Sequence, residues 1–242
     1  MSGPVKDYVC LDLETSGLYP KYDKIIEIGA VKVKNGQITD RFRSLVNPGR
    51  KLTEITTAIT GIHDGDLVSA PDIMEILPSF LAFSEALPLL GHSILFDYSF
   101  IKKAAVNQGL SFEREGIDTL KLARKFLPDL ESRAMENLCV HFHIPHTAHR
   151  ALGDAEATQQ LYVKLCELFW NEKDFAPRQL VYKVKKEGPA SGAQKERLYR
   201  LAAVHKLELD ADIEKMTKNE ASRTIDKILA QYGKLTEHVE KP

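Results

Sequence analysis

Asp12 and Glu14 stand two residues apart in the run Tyr8-Val9-Cys10-Leu11-Asp12-Leu13-Glu14. The apolar setting reads as a buried strand, on which residues i and i+2 leave the same face. Both carboxylates therefore project together, while Leu11 and Leu13 turn to the opposite face and the core. Two such carboxylates repel unless a cation lies between them. Hard oxygen donors suit Mg²⁺ or Mn²⁺ rather than zinc. Taken alone the pair says little, because solvated strand edges often carry acidic residues. Asp97 follows the apolar run Leu89 to Leu95 at the entry to a helix, where capping is its plain reading. His149 and Asp154 lie five residues apart around a helix start. Phosphodiester cleavage needs a water deprotonated near neutral pH, and imidazole has the matching pKa. Asp12, Glu14, Asp97 and Asp154 together have the donors for two cations, one serving the attacking water and one the leaving oxygen.

The elements that must position these groups are legible in outline. Tyr8 to Leu13, Ile25 to Val33 and Gln37 to Val46 read as strands. Asn35-Gly36 between the last two is a strong hairpin signal, since both turn positions need positive φ. Leu89 to Leu95 reads as a further strand. Helical spacing is expected around Ile73 to Leu81, strained by Pro78, and at Phe100 to Gln108, Thr119 to Phe126 and Ser132 to Phe142. The longest helix is expected from about Leu152 to Trp170, with Ala157, Leu161, Leu165, Leu168 and Phe169 on one face. A hairpin-bearing sheet followed by helices makes residues 1–171 a mixed α/β domain.

Residues 172–190 lack periodicity and hold Pro177, Gly188 and Pro189, the mark of a linker, with a short strand expected at Leu180 to Val184. Ser191-x-x-Gln194 and Thr217-x-x-Glu220 are capping-box patterns, each opening an amphipathic helix. They define a small helical module over 191–234, too small to bury much apolar surface unaided.

Composition is that of a soluble globular chain of 242 residues with formal net charge −1. Residues 1–171 hold 18 Lys+Arg against 22 Asp+Glu, whereas 172–206 hold 9 against 4. That basic stretch suits either a solvated linker or a nucleic-acid backbone. Cys10, Cys139 and Cys166 form no CxxC pair, which points away from a zinc or disulfide framework and to a reducing compartment. Met1 to Asp7 has no apolar core of the signal-peptide kind, and no apolar run approaches the ~20 residues that span a bilayer. A cytoplasmic protein without a membrane partner is expected.

The motifs Leu11-Asp12-Leu13-Glu14-Thr15, then His92 with Phe96-Asp97, then His149-Arg150-Ala151-Leu152-Gly153-Asp154-Ala155 closely resemble, in order and separation, the three exonuclease motifs of the DEDDh superfamily. Thr60-Gly61-Ile62-His63 resembles that family's loop between the third strand and the next helix. The likeness covers about residues 7–169. It is similar to the proofreading subunit or domain of bacterial replicative polymerases, and more loosely to ribonuclease T and oligoribonuclease. The resemblance implies a ribonuclease H-like fold with a mixed five-stranded sheet flanked by helices. It implies that Asp12, Glu14, Asp97 and Asp154 ligate two Mg²⁺ ions, with Mn²⁺ able to substitute. It further implies that His149 is the general base, releasing nucleoside 5′-monophosphates from a 3′ end. Thr15 would contact the terminal nucleotide through its backbone, Ile62 would either wedge against the terminal base or cap the core as a loop residue, and His92 and Phe96 would line the pocket. Gly153 and Ser93 depart from the family's usual residues, which are acidic or amide at the first and Asn at the second.

The leading expectation is a 3′–5′ exonuclease acting on single-stranded DNA in proofreading or repair, with a DNA polymerase subunit as a candidate partner. An RNA-directed enzyme of the oligoribonuclease type uses the same residues, and 2′-hydroxyl contacts that would separate the two are not visible in a sequence. A non-catalytic, polymerase-associated binding module is the reading from another class. Four clustered carboxylates argue against it, since like charges destabilise a fold that has no use for them.

Overall fold

The structure, a computed structural model, describes residues 3–146 and 150–233. His149 lies outside the described residues, as do Thr147 and Ala148. Among the described residues there are six strands: β1 (Tyr8–Thr15), β2 (Ile25–Lys34), β3 (Gln37–Leu45), β4 (Leu89–Gly91), β5 (Glu115–Asp118) and β6 (Arg178–Gln179). The helices between β3 and β5 are α1 (Glu54–Thr60), α2 (Asp64–Leu67), α3 (Ile73–Ser84) and α4 (Leu95–Asn107). Those after β5 are α5 (Thr119–Phe126), α6 (Met135–Phe142), α7 (Ala151–Phe169) and α8 (Glu172–Phe175). Then come α9 (Gly192–Val204) and α10 (Lys218–Tyr232).

One mixed sheet runs in the order β3-β2-β1-β4-β5-β6. β1 pairs antiparallel with β2 and parallel with β4, so the strand bearing Asp12 and Glu14 is central. The sheet has six strands rather than the expected five. The extra edge is the two-residue β6, which lies just before the Leu180 to Val184 run where a strand was expected. The hairpin formed as read: Asn35 and Gly36 have φ of 52° and 78°, and Lys34 faces Gln37.

The period of two along β1 divides the core. Val9, Leu11 and Leu13 pack with Leu77 and Phe80 of α3 and with Tyr98, Ile101 and Ala105 of α4. Tyr8 and Cys10 face the other way, with Ala155, Leu161 and Leu165 of α7. Asp12 and Glu14 continue the Tyr8–Cys10 side, so the strand aims both carboxylates at the α7 layer. Gly29 of β2 brings that helix close. A Cβ there would lie 2.0 Å from the carbonyl carbon of Ala151, at the start of α7. Only glycine lets the helix N-terminus approach the strand so nearly.

Two compact units result. Residues 3–48 and 52–185 form the first, and residues 49–51 with 186–233 the second. In the second, both capping boxes are present: Ser191 Oγ accepts from Gln194 N, and Thr217 Oγ1 accepts from Glu220 N. Ala190, Leu198, Leu201, Ile213, Met216, Ala221, Ile225 and Ile228 make its own small core. Residues 49–51 complete it, Lys51 N donating to Asp210 O at 2.7 Å and Asp212 N to Gly49 O at 2.9 Å. No described helix is long and apolar enough to cross a membrane.

Candidate active site

Asp12 and Glu14 project from β1, and Asp154 lies in the first turn of α7. Ligand atoms of these three carboxylates lie within 4.8 Å of one another. Asp97 stands beside them, 3% exposed. The expected capping role for Asp97 is corrected. Helix α4 begins earlier, at Leu95, with Ile94 at its cap. Asp97 instead spends Oδ1 on the backbone N–H of Leu13 at 3.1 Å, tying α4 to the strand that carries Asp12 and Glu14.

Burial and mutual repulsion define the electrostatics. Asp12 is raised well above the usual carboxylate range, first by burial and then by the charges of Asp97, Asp154, Glu14 and Glu27. Burial also raises Asp97, against the backbone N–H groups that favour its charged form. Glu14 is pushed up to about 7 by burial, Asp154 and Glu27, with Arg150 opposing. Hard oxygen donors crowded at this cost fit a divalent cation, which supplies the missing positive charge.

A pH dependence follows. The folded-state pKa of Glu14 lies above its unfolded value, so the folded chain holds the proton over a wider pH range. Stability therefore falls as pH rises through the window from about 4.5 to about 7. At 1.36 kcal/mol per pKa unit the loss is on the order of 3 kcal/mol, and Asp12 and Asp97 add the same sign. Melting curves in EDTA are expected to drop in Tm from pH 5 to pH 8, and millimolar Mn²⁺ is expected to restore Tm at pH 8 far more than at pH 5. A Tm independent of both pH and Mn²⁺ would contradict this picture of the site.

The remaining sequence candidates divide. Thr15 sits at the end of β1, where the register shifts, and its Oγ1 donates to Gly17 O at 2.7 Å. Phe96 is partly buried with its ring 5.0 Å from that of Phe100. His92 uses both ring nitrogens internally: Nδ1 is 3.0 Å from Thr119 Oγ1, and Nε2 donates to Arg133 O at 2.9 Å. Burial holds its pKa below the usual imidazole range. Ile62 is a correction. It is 1% exposed and packs with Ile26 and Leu67, so in this structure it is a core residue with no surface to wedge against a base. Ser93, where Asn was noted as the family's commoner residue, has φ of 75°. Asn is among the few residues that tolerate that region well.

Two residues near the site escaped the sequence reading. Glu27 of β2 is fully buried. It accepts from Arg43 Nε at 2.9 Å, Arg150 Nη2 at 3.2 Å and Ala151 N at 3.3 Å. It thereby pins the start of α7, and with it Asp154, against the sheet. Glu27→Ala is expected to lower stability by about 2–3 kcal/mol in a urea titration. That is below the usual cost of breaking a buried ion pair, because both guanidinium groups are roughly half exposed and can rehydrate. The second missed residue is His146, whose Nε2 lies 2.6 Å from Asp154 Oδ1.

A mixed sheet of this order, with carboxylates from the central strand meeting one on a helix packed across its face, is the ribonuclease H-like architecture of metal-dependent nucleases. The chain belongs to the exonuclease family represented by ribonuclease T, whose model matches residues 9–162. This stretch is a DEDDh exonuclease domain. Over 162 residues the chain is 41% identical to a DNA polymerase III PolC-type protein of Caldanaerobacter subterraneus subsp. tengcongensis, covering 66% of this chain and 12% of that protein. The corresponding Bacillus subtilis protein is 39% identical over 162 residues, covering 65% and 11%. The chain thus spans about an eighth of the length of these relatives. Among solved structures, exonuclease X in complex with 5′ overhanging duplex DNA is 25% identical with a TM-score of 0.56, covering 69% of this chain and 96% of that one. A 3′-exonuclease that recognises a histone mRNA stem-loop shares the fold at 17% identity and a TM-score of 0.55, covering 69% and 84%.

Proposed function

We propose that this protein is a 3′–5′ exonuclease that removes nucleoside 5′-monophosphates from DNA 3′ ends, in proofreading or repair. The observation that carries the reading is the convergence of Asp12, Glu14 and Asp154 within 4.8 Å, with Asp97 alongside. DNA is favoured over RNA by the identity to PolC-type polymerase proteins and by the DNA-bound exonuclease X among the structural relatives.

Asp12, Glu14, Asp97 and Asp154 are the residues that would hold two Mg²⁺ ions, with Mn²⁺ an effective substitute. When bound, the ions supply positive charge at the attacking and leaving oxygens of an in-line displacement. The chain's own groups do the rest. The Leu13 N–H holds Asp97, and the Arg150 N–H holds Asp154 Oδ2 at 3.0 Å, so both carboxylates are oriented before substrate arrives. His149 takes the proton of the attacking water. Thr15, His92 and Phe96 surround the terminal nucleotide, His92 by bracing the pocket wall through Thr119 and Arg133. A DNA polymerase subunit is the partner that the PolC-type relatives suggest, and the basic residues of 172–206 are suited to a nucleic-acid backbone.

The test is product analysis on matched DNA and RNA oligonucleotides labelled at the 5′ end, with Mn²⁺ present. Stepwise shortening of DNA from its 3′ end with release of 5′-monophosphates is expected. Faster RNA shortening would reverse the substrate assignment, and no release from either would overturn the enzymatic reading.

A further inference from the structure

His146 is not one of the four carboxylates or the expected base, yet its imidazole is built into the cluster. Nε2 lies 2.6 Å from Asp154 Oδ1. The side chain is only 7% exposed and that of Asp154 15% exposed, which sets the contact apart from a solvated surface pair. A carboxylate that ligates a cation can only accept, so in that role the imidazole Nε2 is the donor. The other oxygen of the same carboxylate, Oδ2, accepts from Arg150 N at 3.0 Å. Asp154 is therefore held at both oxygens by donors from the protein. A carboxylate offers about four lone-pair positions. Two are used here, and the rest remain for a cation shared with Asp12 and Glu14, the ligand atoms of all three lying within 4.8 Å of one another.

The surroundings of the imidazole place it between two helices. His146 follows Pro145, and it borders a cavity lined by Glu136, Cys139, Val140, His143 and Ile144. The ring therefore sits between the end of α6 and the first turn of α7.

We propose that His146 is a positioning residue of the metal centre, which orients the Asp154 carboxylate toward Asp12 and Glu14 and so strengthens cation binding. The inference rests on the reading of those carboxylates as metal ligands. Donors behind a ligating carboxylate typically contribute 10–100-fold in metal affinity. The effect should appear in cation binding and only secondarily in turnover, since His146 acts through Asp154.

The test uses the full chain as wild type, His146→Ala and His146→Gln, the last because Gln keeps an N–H donor at similar reach. Mn²⁺ binding is measured by calorimetry without nucleic acid, and exonuclease rates are measured across a Mn²⁺ titration. Circular dichroism confirms that each variant is folded. The expected result is that His146→Ala weakens Mn²⁺ binding about 10–100-fold, with a smaller loss of rate at saturating Mn²⁺. His146→Gln should recover most of the affinity. Unchanged Mn²⁺ affinity in folded His146→Ala overturns the proposal. So does tighter binding, which would mean the imidazole competes with the cation for Asp154. A rate loss at saturating Mn²⁺ larger than the affinity loss also overturns it, because that pattern belongs to a group acting on the reaction itself. If wild type binds no Mn²⁺, the metal-site reading falls and this inference with it. Normal wild-type binding with an unaffected variant removes the His146 role alone.

Discussion

Asp12→Asn is expected to reduce exonuclease turnover by on the order of 10³-fold or more while leaving the fold intact. A cation that stabilises developing charge contributes several kcal/mol, and each 1.36 kcal/mol is tenfold in rate. The substitution keeps the size of the side chain and removes the charge. Burial, Asp97, Asp154, Glu14 and Glu27 all oppose ionisation of Asp12. Removing that charge relieves repulsion among the survivors, so Tm in EDTA at pH 8 should hold or rise. The stabilisation by millimolar Mn²⁺ should shrink at the same time. A variant that keeps activity within tenfold of wild type, or that unfolds, would show that Asp12 is not a metal ligand of the kind described.

This separation of stability from activity was visible in the residues themselves, because alternation along β1 is strict. Leu11 and Leu13 are buried at 0% and 6% exposure on one side, and the two carboxylates face α7 on the other. Helix α7 was equally legible: nineteen residues with a clear apolar stripe, ending within a residue of the expected position. Short elements were not. β5 is four residues with Ile117 as its only large apolar side chain, too brief for any period to register. α1 is Glu-Ile-Thr-Thr-Ala-Ile-Thr, rich in β-branched residues that disfavour helix. It forms because Thr53 caps the Thr56 N–H and Gly61, at φ of 65°, closes the other end. At Leu89 to Leu95 an apolar run could not reveal where strand gives way to helix. The chain leaves β4 at Gly91, turns through Ser93, and is already helical at Leu95.

The parts of the site that stayed hidden depend on contacts distant in sequence. Glu27 is a carboxylate inside Ile-Ile-Glu-Ile-Gly-Ala-Val, and a charge in so apolar a strand demands a partner. Arg43 on the paired strand β3 is one partner, and the other is Arg150, 123 residues away, to which nothing local points. His146 lies eight residues before Asp154, on the far side of a helix start, where helical spacing carries no information. Ile62 shows the opposite failure. The resemblance implies that Ile62 wedges against a base, but the loop folds inward and buries it with Ile26 and Leu67. Loop position marks a residue as able to serve function, and burial decides whether it is free to do so.

His149→Ala separates proton transfer from metal binding. General-base loss typically costs 10²–10⁴ in rate, so kcat at saturating Mn²⁺ is expected to fall by about that factor. The four carboxylates and the donors that orient them remain, so Mn²⁺ affinity measured by calorimetry should stay near the wild-type value. The pH dependence supplies a second readout. A general base acts only when unprotonated, so the wild-type rate should fall toward acid. That acidic limb should flatten in the variant, leaving only the steps due to the carboxylates. The pattern is the reverse of that expected for His146→Ala, in which affinity falls more than the maximal rate. Two histidines three residues apart would thus be told apart by which parameter moves. If His149→Ala kept most of its rate and its acidic limb, the proton acceptor would have to be another group. His146 would then be the first to test, because its imidazole already lies against Asp154.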